Sequence, residues 1–75
     1  MNLVSKYGYS DLCKLLIGKT VNFKSDCQFF PNFDVTGIVL KIDIAKNNEF
    51  IFKISRNNKK YDIGSRMHNL SFIVL

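Results

Sequence analysis

Tryptophan is absent, histidine, proline and glutamate each occur once, and 75 residues hold only four glycines and two cysteines. Each scarcity excludes something. Cys13 and Cys27 allow at most one disulfide, which rules out a cysteine-stapled secreted scaffold and predicts two reduced thiols in a cytoplasmic protein. One histidine, His68, and two distant cysteines give no metal-ligand spacing, so no metal is expected. A single Glu, a single His and five Asp offer no acid–base pair at readable spacing. No glycine-rich run cradles a phosphate. The chain is therefore expected to be no enzyme and to need no cofactor. It also lacks an apolar stretch near the roughly 20 residues that span a bilayer, and a secretory h-region of about 7–15 residues. No membrane association is expected.

What is present is positive charge. Eleven Lys and Arg stand against six Asp and Glu, a net charge of +5. Such a balance speaks about partners, and polyanions benefit most from it. Asn, Lys, Ile and Phe are over-used, a bias typical of AT-rich coding in many phages and low-GC bacteria. A chain this short buries only about 60% of its unfolded surface, so oligomerisation is the expected source of further burial.

The chain reads as one domain, residues 1–75. Residues 1–9 show no period and read as a lead-in. Ser10-Asp11 resembles a helix N-cap with an acidic first turn, and Leu12, Leu15 and Leu16 form one apolar stripe, predicting a helix over 10–18 closed by Gly18. From Lys19 the period becomes two: Val21 and Phe23 alternate with Thr20, Asn22 and Lys24. A loop from Ser25 to Phe33 carries Phe29, Phe30 and Phe33, either capping the core or forming a binding surface.

Asp34 to Ile44 reads as one long strand, with Thr36, Ile38, Leu40, Ile42 and Ile44 on one face and Val35, Gly37, Val39, Lys41 and Asp43 on the other. Gly37 is the expected bulge or bend. Lys46-Asn47-Asn48 forms a hairpin turn, Glu49 to Arg56 a strand, Asn57-Asn58 a second turn, Lys59 to Ile63 a fourth strand and Leu70 to Leu75 a last one. The last strand is apolar on both faces, so both are expected to be covered. The predicted fold is mainly β: a short N-terminal helix followed by a strongly bent, five-stranded antiparallel small barrel over 19–75.

Several of these features resemble the Sm-like family of RNA-binding ring proteins. Leu15-Leu16-Ile17-Gly18-Lys19-Thr20-Val21 is similar to its helix–strand junction, Gly37, Val39, Asp43 and Asn47 match the spacing of its first motif, and Arg66-Met67-His68-Asn69-Leu70 with Phe72-Ile73 looks like its second. The resemblance implies a homo-oligomeric ring in which the fourth strand pairs with a neighbour's fifth. It also implies a single-stranded RNA pocket on the loops of Asn47 and Arg66, flanked by Lys46 and His68. Asn47 would read a base edge, Arg66 would stack on or bond the base, and Asp43 would orient Asn47. The chain departs from the family at Ala45, where an aromatic or His stacking platform is usual, at Met67, which replaces a Gly, and in the length of the Ser25–Phe33 loop. A second reading stays open: a barrel adaptor or phage-type inhibitor that binds a host protein or small ligand through Phe29, Phe30 and Phe33.

Overall fold

The computed structural model describes residues 2–25, 32–66 and 69–75. Alternating apolar and polar residues build a sheet whose strands are β1 (Asn2–Leu3), β2 (Thr20–Ser25), β3 (Phe33–Ile44), β4 (Phe50–Arg56), β5 (Lys59–Gly64) and β6 (Ser71–Val74). A 3-10 turn (Val4–Lys6) and one helix, α1 (Tyr9–Leu16), precede β2. The strand order is β1-β6-β2-β3-β4-β5, and every pairing between strands is antiparallel. The sheet has six strands rather than five and is not closed into a barrel: among the described residues, β5 pairs only with β4.

The extra strand lies in the expected lead-in. Asn2 and Leu3 pair with Phe72 and Ser71, and the Val4 amide donates to the Leu70 carbonyl at 2.9 Å. Val4 is buried, and the Tyr7 ring meets that of Phe72 edge-on at 5.4 Å. A two-residue strand has no period to read, so only its tertiary partners reveal it.

Helix α1 starts and ends earlier than the expected 10–18. Gly8 is its N-cap, with no side-chain bond, and the Leu12 amide donates to the Gly8 carbonyl at 3.0 Å. The reason is a tether: the Tyr9 hydroxyl donates to the Ile42 carbonyl at 2.8 Å and its ring lies 5.8 Å from Phe50. These contacts hold the first turn, which has no side-chain cap. At the other end Ile17 is already extended and forms a parallel bridge with Val39. Gly18 follows at φ +83°, donating its amide to the Val39 carbonyl at 2.8 Å.

The core lies on one face of the sheet and under α1. Leu12 and Leu16 of the helix pack with Val21, Phe23, Val39, Phe52, Ile54 and Phe72, all buried, and the Phe23 and Phe52 rings stand 5.2 Å apart. Full burial of each such side chain stabilises by roughly 1.5–3 kcal/mol.

Strand β3 does not keep one alternation. Gly37 and Val39 face the core, yet so does Ile42, because the β3–β4 register shifts between Val39 and Lys41. A bulge at Leu40 reverses the faces and turns Ile42 inward, while Ile38 and Leu40 stay exposed and Ile44, at the end of the strand, is exposed as well. Gly37, expected to mark a bulge or sharp bend, is not at the register shift, and its place is set by close approach: a Cβ there would stand 2.8 Å from the Ser55 carbonyl oxygen. Strand β6 also departs from expectation. Phe72 is buried against β2, but Ile73, Val74 and Leu75 are not covered.

Left-handed asparagines make the turns: Asn48 at φ 64° and the pair Asn57 and Asn58 at 52° and 65°. Asn tolerates that region because its short amide bonds locally.

Candidate functional site

The turn joining β3 to β4 is built by its own polar groups. The Ala45 amide donates to the Glu49 carbonyl at 2.8 Å and the Asn48 amide to the Ala45 carbonyl at 3.0 Å. The Glu49 amide donates to Asn47 Oδ1 at 3.1 Å, an Asx turn. That bond uses the oxygen of Asn47 and leaves its NH₂ as the group a ligand would meet. Lys46 is exposed on the same turn.

Residues after β5 are fastened to this turn. Ser65 and Phe50 exchange two bonds: the Ser65 amide donates to the Phe50 carbonyl at 2.8 Å, and Ser65 Oγ accepts the Phe50 amide at 2.9 Å. Arg66 therefore projects beside Glu49, its Nε 4.0 Å from Glu49 Oε2. The guanidinium side chain is 74% exposed and the Glu49 side chain only 18%. The structure thus brings Asn47, Lys46 and Arg66 onto two neighbouring turns.

Asp43 sits differently from its implied role. Its carboxylate faces Lys41 Nζ at 3.7 Å, on the sheet, and Asn47 is held by the Glu49 amide instead. His68 lies outside the described residues, as do Phe29 and Phe30. Phe33 opens β3, half-buried and packed against the core. It also lines a polar cleft of about 360 Å³ with Lys24, Ser25, Asn32, Asp34, Asn69 and Ser71. Asp34 is fixed there by Asn22 Nδ2, which donates to its Oδ1 at 2.6 Å, and by Lys24 Nζ at 4.0 Å.

Sequence reasoning missed Glu49 and Ser65. Glu49 is the only glutamate, a weak signal, and its packing over Gly64 depends on the β4–β5 register. Ser65 gave no signal, because its bonds reach 15 residues back.

Two groups, one on α1 and one on β4, have pKa values raised above their ordinary ones. Contact with the Cys13 thiol, partial burial and the charge of Asp43 raise the Tyr9 phenol above 10.0. The bond from Lys53 Nζ to Asp62 Oδ2, 2.9 Å long, raises the Lys53 ammonium above 10.5. Among the described residues no three His, Cys, Asp or Glu gather as a metal site, and no helix is long and apolar enough to cross a membrane.

An exposed guanidinium and an amide NH₂ on neighbouring turns are groups that can bond a planar ligand, with Lys46 adding charge. No family model matches the chain, and no curated protein or solved structure matches it.

Proposed function

We propose that the protein is a non-catalytic binding module that takes single-stranded RNA at the joined turns of Asn47 and Arg66. The observation that carries this reading is the two-bond clasp between Ser65 and Phe50, which holds an exposed Arg66 against Glu49, the residue whose amide bonds Asn47 Oδ1, while the Asn47 NH₂ makes no hydrogen bond among the described residues. A single RNA strand is commonly held by one planar group on the base and another on its edge. Arg66 supplies the plane, Asn47 reads the edge and Lys46 faces phosphate. Asp43, tied to Lys41, sets the local charge rather than touching RNA.

Assembly in this reading is Sm-like and closes the sheet through neighbours. Among the described residues the far edge of β5 has no strand partner, and β1 pairs with β6 only at Ser71 and Phe72. Pairing β5 of one copy with β6 of the next would satisfy both edges and cover Ile73 and Val74.

Size-exclusion chromatography with light scattering, recorded at 260 and 280 nm, tests both parts. A six- or seven-fold ring of the 8.7 kDa chain would weigh about 52–61 kDa. That mass, with excess absorbance at 260 nm removed by ribonuclease and lost in Arg66→Ala, is the expected result. A monomer free of nucleic acid that binds no oligouridine would overturn it.

A further inference from the structure

The β4–β5 hairpin carries charge that no ion pair among the described residues answers. Its two-residue turn sets Arg56 opposite Lys59, Ser55 opposite Lys60 and Ile54 opposite Tyr61. Residues directly opposed share a face, and strand alternation places the Ile54–Tyr61 and Arg56–Lys59 rungs on the same one. Ile54 belongs to the core. Tyr61 is 44% exposed, and Arg56 and Lys59, one rung further out, are exposed as well. The arm thus runs outward from packed core to aromatic ring to paired cations.

Like charges directly opposed destabilise a sheet, and among the described residues no carboxylate pairs with these. Asp34, Asp43, Glu49 and Asp62 each lie within 4.0 Å of another cation: Lys24, Lys41, Arg66 and Lys53. Asp11 sits in the first turn of α1. Among the described residues Arg56, Lys59 and Lys60 have no ion pair.

We infer that this hairpin tip binds a single strand of nucleic acid, with Arg56 and Lys59 facing phosphates and Tyr61, on the same face, stacking on a base. Cations that track a backbone beside an exposed aromatic are the two elements of sequence-tolerant single-strand binding. An acidic peptide would satisfy the cations but leave the tyrosine without a role, and a duplex offers no unstacked base. The inference shares its class of ligand with the proposed function and rests on that reading to this extent. Its residues are different: the tip stands at the other end of β4 from Asn47, roughly 20 Å away at strand spacing.

Fluorescence anisotropy of a labelled oligouridine of about 15 nucleotides, titrated over a range of salt, tests the surface. Tyr61→Leu keeps apolar cover over Ile54 and is expected to weaken binding roughly 5- to 150-fold, while Tyr61→Phe binds as the parent does. Replacing Arg56 and Lys59 together by Gln is expected to lower the slope of log affinity against log salt by about 1.4. Circular dichroism confirms that each variant retains its strands. Parent-like binding by Tyr61→Leu overturns the inference, even where the salt slope falls, because the tip is then a plain polyanion surface. Loss confined to Arg66→Ala and Asn47→Ala overturns it while upholding the proposed function. Loss confined to the tip variants does the reverse, and no binding by the parent protein overturns both.

Discussion

The Cα of Gly37 faces the carbonyl oxygen of Ser55 across the β3–β4 ladder so closely that a side chain has no place there. A Cβ would stand 2.8 Å from that oxygen and 3.2 Å from Ile54 Cδ1, both held by the sheet or the core. Gly37→Ala is therefore expected to destabilise by about 1–3 kcal/mol, the usual effect of overpacking. Urea denaturation measures it, with Gly8→Ala as the comparison. A Cβ at Gly8 meets nothing within 4 Å, so that variant is expected to differ from the parent by less than about 1 kcal/mol.

Gly18 presents the opposite case, ample space and a restricted backbone. Nothing lies within 4 Å of its missing Cβ, but φ is +83° and its amide bonds the Val39 carbonyl. Gly18→Ala is expected to cost about 1–2 kcal/mol through backbone strain alone, and Gly18→Asn distinctly less. Equal losses for the two would show that the bond to Val39, rather than the dihedral, decides the position.

Glu49 competes for the guanidinium that the proposed function assigns to RNA. Glu49→Gln removes the charge 4.0 Å from Arg66 and is expected to tighten oligouridine binding several-fold. Because Arg66 is largely exposed, the lost pair should change stability by no more than about 1 kcal/mol. Weaker binding in the same anisotropy titration would instead make Glu49 a group that positions Arg66.

Stability should fall at alkaline pH. Tyr9 and Lys53 both titrate above their ordinary values of 10.0 and 10.5 when folded. The unfolded chain therefore releases these protons first, so their contribution is intact below about pH 10 and is lost as pH rises through the folded values. Thermal melts at stepped pH are expected to be flat in this respect below pH 10 and to decline above it. Lys53→Gln should make the decline shallower, and an unchanged decline would remove the Lys53–Asp62 pair as a cause.

The strands were legible where period two held without interruption. Val21 and Phe23 declared β2, and the asparagine turns declared both hairpins. Strand β3 was legible as a strand but not in its facing: the bulge at Leu40 is created by pairing with β4, and the sequence there keeps a plain alternation. Strand β1 was illegible because its existence depends on Phe72 and Ser71 at the other end of the chain. At the site, Asn47 and Arg66 could be named from motif spacing, whereas the clasp through Ser65 and the screen by Glu49 arise from register. The paired cations of the β4–β5 tip were written in the residues, but that they have no ion pair among the described residues became visible only once Asp34, Asp43, Glu49 and Asp62 were seen beside other cations.

The four residues of β6 hold two strands at once, β1 on one side and β2 on the other. A chain cut short before Ser71 would lose both ladders together. Phe23 would be uncovered, and Asn2 and Leu3 would have nothing to pair with. Completion of the core therefore waits on β6, the last of the six strands in chain order, so a chain in which β6 has not yet paired holds its helix and central hairpins around an open seam.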